Sequence, residues 1–341
     1  MQGTNSLNQE VKDAMYQFIS IAKDITENMK KSDLSEKTRD DYFQLARFIL
    51  DRRETTGMSV SEIISATKSK NTFYKRITAL RRYFLEVGTS AMQSLVSDPT
   101  ASAEHNIKLV ARDIHELSLI MQSGFKKPKS RRNSKRKSLN GLPEQWMEIL
   151  CRYGYKSKYA TPLLVLALTG CRPAELQKGV MISYIKSADN ESSLTFEIQG
   201  VKLSNSSGQT SRSISYLNLK NNSLITMLLD RLNFMQESGK HKVTVASSVN
   251  LTVEIRRIAK RLWPEHKHSI TAYSFRHQFA ANLKAQNFGD ETSRALGHRS
   301  EKTRKHYGLA IQSRGGNDDI SISASNLLKL ELEEKNQGID L

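Results

Sequence analysis

Arg276, His277, His298 and Tyr307 fall within one stretch, TAYSFRHQFAANLKAQNFGDETSRALGHRSEKTRKHYG, running from Thr271 to Gly308. Far upstream, LALTGCRPAEL carries Arg172 and Glu175, and between the two IQGVKLSNSSGQTSRSI carries Lys202. Two arginines, a lysine, a histidine and a tyrosine can attack a phosphodiester without a metal. A phenol oxygen can displace at phosphorus and keep the phosphate, storing the bond energy for religation. The transition state carries extra negative charge on the non-bridging oxygens, which the forked donors of guanidinium groups suit. The leaving 5′ oxygen needs a proton, and a lysine can supply it as general acid.

The text around these residues says what must position them. Gly170 is placed to end the apolar run TPLLVLALTG, and Pro173 to start the next helix. That sets Arg172 on a tight corner, with Glu175 three residues on as a buttress for its guanidinium. Lys202 lies near the end of the first strand of an expected hairpin, a mobile carrier for an acid that must reach a substrate. In RHQFAANL, Phe279 and Leu283 face inward while Arg276 stays near the helix start. Gly297-His298 closes a short helix and opens a loop. Tyr307 follows His298 by nine residues, with Lys302, Arg304 and Lys305 making its surroundings strongly basic. That field would hold DNA and favour a developing phenolate. Each residue alone has an ordinary reading: a capped surface arginine, a solubility lysine, a loop histidine, a packing tyrosine.

In this order and at these spacings the motifs resemble those of the tyrosine recombinases, the phage integrase family. TGCRPAEL is similar to the family pattern T-G-x-R-x-x-E-L, and Leu296-Gly297-His298 to its L-G-H. Tyr273-Ser-Phe-Arg276-His277-Gln-Phe279-Ala280 is similar to H-x-x-R-H-x-F-A. The resemblance implies that Arg172 and Arg276 clamp the scissile phosphate, supported by Glu175 and His277. It implies that Lys202 protonates the leaving oxygen, that His298 hydrogen-bonds the phosphate, and that Tyr307 attacks to leave a 3′-phosphotyrosine and a free 5′-hydroxyl. It further implies a C-shaped clamp on duplex DNA and a homo-tetramer exchanging strands through a Holliday junction, with no cofactor, metal or ATP. The need for accessory factors stays open, as does the choice among integration, excision, inversion and resolution.

Tyr273 departs from the pattern, standing where the family has its first histidine. A phenol can donate a hydrogen bond, but phenols ionise near about 10 in water and are poor bases at neutral pH. Tyr273 is therefore expected to hydrogen-bond or pack rather than to move a proton. The motifs span residues 160–310. Two rivals remain: a DNA relaxer of the type IB topoisomerase kind, and a DNA-binding or architectural protein that has lost catalysis.

Composition points the same way. A length of 341 residues suggests two domains. Lys+Arg is 52 against Asp+Glu 35, a net charge of +17, which suggests a polyanion partner such as duplex DNA. Cys151 and Cys171 form neither a metal cluster nor a disulfide framework and read as buried thiols in a reducing compartment. The opening MQGTNSLNQEVKD has no apolar signal core, and no run is long enough to span a membrane. A cytoplasmic protein is expected, nucleoid-associated if bacterial, with no membrane partner.

The expected fold is mainly α: an all-helical core DNA-binding domain, then a mostly helical catalytic domain with a small antiparallel β-sheet. Residues 1–9 read as a disordered N-terminus and 10–125 as the helical domain. An amphipathic first helix is followed by one opening at an Asp33-Leu-Ser-Glu36 capping box. A short helix follows Ser59. The fourth carries Phe73, Ile77, Leu80 and Phe84 inward, with Lys75, Arg76, Arg81 and Arg82 as a candidate DNA face. A fifth runs near 103–122, using Leu109, Ile114, Leu117 and Met121. Residues 126–140 read as a basic linker. In KKPKSRRNSKRK eight of twelve residues are basic: Lys126, Lys127, Lys129, Arg131, Arg132, Lys135, Arg136 and Lys137. Such a run suits a phosphate backbone, with binding that falls steeply with salt. It also has the composition of a nuclear-localisation signal.

The catalytic domain is expected over 141–315. It should hold helices near 143–153, 221–236, 249–262, 273–286, 289–296 and 300–307, a buried helix at TPLLVLALTG, and a hairpin of strands 194–202 and 212–219. Residues 316–341 read as a polar tail ending in a short helix with Leu327, Leu328, Leu330 and Leu332 on one face, docking on its own domain or on a neighbouring protomer.

Overall fold

The computed structural model of the chain describes residues 7–28, 34–97, 99–126, 135–187, 192–201, 203, 208–217, 219, 222–234, 237–299, 306–314 and 318–325. The chain divides into two compact units, Met1–Arg132 and Asn133–Leu341. It is mostly helical, with one small antiparallel sheet. No helix among the described residues is long and apolar enough to cross a membrane.

Among the described residues the first unit is all-helical: α1 (Gln9–Asn28), α2 (Glu36–Thr56), α3 (Val60–Ser65), α4 (Lys70–Ser97) and α5 (Ala101–Ser123). Its core is built from inward stripes at three- and four-residue steps, such as Phe73, Ile77, Leu80 and Phe84 of α4 and Ile107, Ile114 and Leu117 of α5. On α5 the buried stripe is Ile107, Val110, Ala111, Ile114, Leu117 and Ile120, so the expected Leu109 and Met121 lie at its margin. The opening of α2 also differs from expectation. Ser35 is its N-cap and accepts from the Thr38 amide. Asp33 lies outside the described residues. A reciprocal capping box does form at α3, between Ser59 and Glu62, an arrangement worth about 1 kcal/mol.

In the second unit Lys135–Leu139 forms a 3-10 turn with Ser138 and Leu139 buried, inside the stretch expected as linker. Helices α6 (Trp146–Tyr153), α7 (Ala160–Thr169) and α8 (Pro173–Lys178) follow. Helix α7 is buried on every side, as its unbroken apolar text requires. Strands β1 (Val180–Ile185), β2 (Ser193–Gln199) and β3 (Ser211–Tyr216) come next, then α9 (Ser223–Arg231), β4 (Gly239–Val243), α10 (Ser248–Leu262), α11 (Ala272–Ala285), α12 (Glu291–Ala295) and β5 (Ile320–Ala324). The sheet order is β4-β1-β2-β3-β5, every neighbouring pair antiparallel.

The expected hairpin is the β2–β3 pair, with Phe196 opposite Ile214. Three strands were not expected. β1 alternates Val180, Ile182 and Tyr184 inward. β4 is a short edge strand with three exposed residues, Lys240, His241 and Lys242; charge on an edge discourages pairing with another chain. β5 corrects the reading of the tail as merely polar, because Ile322 pairs with Ile214 and is buried. The region of the expected 300–307 helix is described only at its end, where His306 and Tyr307 lie outside any α-helix. The leucines of the expected tail helix lie outside the described residues.

Candidate active site

The site begins where α7 stops. Gly170 takes the left-handed conformation (φ 56°), which lets its amide bond Leu166 and turn the chain out of the helix. A Cβ there would lie 2.8 Å from the Phe279 ring, so α11 packs directly on this corner. Pro173 starts α8 and Arg172 caps it. Glu175, fully buried, accepts the Arg172 amide on Oε2 at 2.7 Å and Arg172 Nη1 on Oε1 at 2.6 Å.

Arg276 comes from the second turn of α11 and has no exposed surface. Its Nη1 donates to the Gly170 carbonyl at 2.9 Å and its Nη2 to the Leu296 carbonyl. That Nη2 also lies 3.2 Å from Nε2 of His298. A guanidinium can only donate, so His298 Nε2 accepts and the neutral ring carries its proton on Nδ1. Among the described residues, His298 Nδ1, His277 Nδ1 and Arg276 Nε are buried without a hydrogen-bond partner. Tyr307 sits against this wall. Its ring centroid is 5.1 Å from His298 and 5.2 Å from His277, and 5.1 Å from Arg276 Cζ.

One residue was missed by sequence reasoning. Arg212 of β3 is buried and donates Nη2 to Glu175 Oε2 at 2.7 Å and Nε to the Ala295 carbonyl at 2.6 Å. It shares the inward face of β3 with Ile214 and Tyr216. A charged residue in the buried register of a strand was the available signal.

Arg172 and Arg212 pair with Glu175 and the Arg276 charge lies near enough to act on it, so among the described residues the buried cluster carries two positive charges in excess. Burial would raise the Glu175 carboxyl, but Arg212, Arg276 and Arg172 hold it down to about 2. Burial, then Arg276, Arg172 and Arg212, press the His298 imidazole down to about 2. Burial, then Arg276, Lys135, Arg136 and Lys284, press His277 to about 4. Both histidines are therefore neutral at pH 7. An uncompensated positive cluster with unpaired buried donors favours an anion.

The same shifts set an acid limit. All three folded pKa values lie below their ordinary ones, so the unfolded chain takes up protons first as the pH falls. Stability is full above about pH 6.5 and declines through the histidine range, then further below about 4.5 as Glu175 joins. At pH 5.5 each buried histidine should cost about 1.4 kcal/mol. Urea midpoints measured from pH 7.5 to 5.0 check this, and His298→Asn should make the decline shallower.

Tyr273, in the first turn of α11, is half-buried with Lys135 Nζ 4.7 Å above its ring. In the first unit Lys75 is exposed. Arg76 donates to the Ile63 carbonyl at 2.5 Å, Arg81 to the Ile25 carbonyl at 3.0 Å, and Arg82 lies 5.9 Å from the Tyr42 ring. Those three arginines thus hold helices together, whatever else they touch. Lys126, Lys135 and Lys137 are exposed and Arg136 is half-buried. Lys202, Lys127, Lys129, Arg131, Arg132, Lys302, Arg304 and Lys305 lie outside the described residues. No cluster of three or more metal-ligating side chains occurs among the described residues.

Fold and site together define a mostly helical protein with a buried cationic cluster bordered by a tyrosine. No protein-family model matches the sequence, and no curated protein matches it. Among solved structures the chain is similar to one titled "Crystal structure of XerA recombinase", at 16% identity and a TM-score of 0.31 over 87% of this chain and 93% of that one. A likeness that slight carries no functional weight.

Proposed function

We propose that the second unit cleaves and rejoins DNA by way of a covalent phosphotyrosine, as a site-specific recombinase of the tyrosine type. The observation that carries this reading is the meeting of Tyr307 with Arg276, His277 and His298 beside the Arg172–Glu175 corner. A scissile phosphate seated on the cluster would meet its excess positive charge. Among the described residues the Nδ1–H of His298 is a donor without a partner, and it suits a non-bridging oxygen. The Tyr307 oxygen attacks phosphorus and releases its proton to water, the P–O5′ bond breaks, and the 3′-phosphate stays on the enzyme as a tyrosine ester. Neutral histidines donate hydrogen bonds without adding charge that the resting site would have to bury.

The leaving 5′ oxygen takes its proton from Lys202 in this reading. Lys202→Ala should slow cleavage by about 10²–10⁴-fold. A substrate with sulfur at the bridging 5′ position should restore the rate, because a thiolate leaves without a proton. An alanine variant equally slow on both substrates would remove Lys202 from that role.

The test of the whole reading is covalent capture. Duplexes from DNA flanking the gene, nicked so that the cleaved strand diffuses away, are incubated with the protein and resolved on denaturing gels. A protein–DNA band whose modified peptide contains Tyr307 supports the proposal. Tight binding with no adduct on any duplex would favour a protein that only binds DNA. Relaxation of supercoiled plasmid by a monomer, without exchange between two sites, would favour the topoisomerase reading.

A further inference from the structure

Arg212 cannot reach a ligand directly, because its side chain is wholly buried. Its donors are already aimed at protein. Nη2 and Nη1 reach the two oxygens of Glu175, at 2.7 and 3.2 Å, and Nε reaches the Ala295 carbonyl. Oε1 of Glu175 is the same oxygen that receives Arg172 Nη1. One planar fork therefore joins β3 to the first turn of α8 and to the end of α12, just before His298. The turn is shaped to receive it: Gly297 is left-handed (φ 66°), and a Cβ there would lie 2.8 Å from Arg212 Nη1. The start of the same strand region is tied to this turn as well, since the Gln209 amide donates to the Gly297 carbonyl at 3.3 Å and its side-chain nitrogen to the His298 carbonyl at 3.1 Å.

We infer that Arg212 is a positioning residue. Its bidentate hold on Glu175 fixes the direction of the Arg172 guanidinium, and its bond to Ala295 fixes the turn that presents His298. This inference rests on the function proposed above, with Arg172 and His298 at the phosphate. A lysine would preserve the charge but could not serve three acceptors lying in one plane. Arg212 should therefore govern how the cluster holds the reacting phosphate, and so the rate of cleavage, while overall duplex affinity is set by basic residues elsewhere on the chain. Misplacing a reacting group by an ångström costs about 100-fold in rate.

The experiment uses Arg212→Lys and Arg212→Met in the full chain. Removing one cation from a cluster that carries two in excess leaves the methionine variant able to fold, which thermal unfolding checks. Cleavage of bound, nicked duplex is then followed in single turnover, alone and combined with Glu175→Gln. Arg212→Lys should bind duplex like the wild type but cleave it about 100-fold more slowly. The losses from Arg212→Met and Glu175→Gln should not multiply, because both act on Arg172. Wild-type cleavage by Arg212→Lys, or losses that multiply, would overturn the inference. If the wild type itself forms no adduct, the proposed function fails, and inorganic phosphate becomes the probe. Weaker phosphate binding by Arg212→Lys than by the wild type, at equal charge, still supports positioning; equal binding refutes it.

Discussion

Tyr307→Phe should reduce covalent capture of DNA to background while leaving the protein folded and able to bind duplex. The substitution removes one oxygen and keeps the ring. It is the ring that Arg276, His277 and His298 meet at 5.1–5.2 Å. Folding stability should therefore stay within about 1 kcal/mol of the wild type, the range of mild substitutions. Loss of the adduct with binding intact separates a nucleophile from a merely structural tyrosine. The chain has 11 tyrosines, so survival of the adduct would place the attacking oxygen on another, which peptide mapping would identify.

The second large effect is on stability. Glu175→Gln should destabilise the second unit by about 3–5 kcal/mol, the usual result of removing one partner from a buried ionic group. Glu175 is the carboxylate on which Arg172 and Arg212 converge, and Arg276 also lowers its pKa. Without that charge three buried guanidiniums repel one another, while glutamine preserves shape and one acceptor oxygen. In a unit of this size the melting temperature should fall by about 10 °C. A loss under about 1 kcal/mol would mean that water screens the arginines from one another. Inorganic phosphate should recover part of the loss, since an anion would replace the missing charge.

Legibility in the sequence followed the strength of local patterns. Helix α7 was plain because its unbroken apolar run leaves no other reading. The β2–β3 hairpin was plain because two alternating segments flank turn text. Strands β1, β4 and β5 were harder. β1 alternates, but its interspersed Ser183 and its place straight after α8 hid the pattern. β4 reads Gly-Lys-His-Lys-Val, which has almost no apolar face because it is an edge. β5 is ISISA amid polar text, and only its pairing with β3 makes it a strand. Register with a distant partner is not written locally.

For the candidate site, Arg172, Glu175, Arg276, His277, His298 and Tyr307 announced themselves by motif and do lie together. Arg212 has no motif. Its role depends on three-dimensional proximity to Glu175, 37 positions earlier in the chain. In the first unit the sequence showed that Arg76 and Arg81 lie on a basic helix. It did not show that their donors turn back onto the Ile63, Ile64 and Ile25 carbonyls. A helical wheel distinguishes faces, but a long arginine can curl across one.

The sheet also has a consequence for biosynthesis. Strand β3, which carries Arg212, obtains its outer neighbour only from Ile320–Ala324. The cluster itself draws on residues from Gly170 to Tyr307. A ribosome emits the chain from its N-terminus, so the helices of the first unit can form early from local contacts, whereas these long-range pairings must wait. A nascent chain stopped short of residue 325 would carry the helices of the first unit and an unfinished sheet. On the function proposed above, strand cleavage would begin only once synthesis had passed β5.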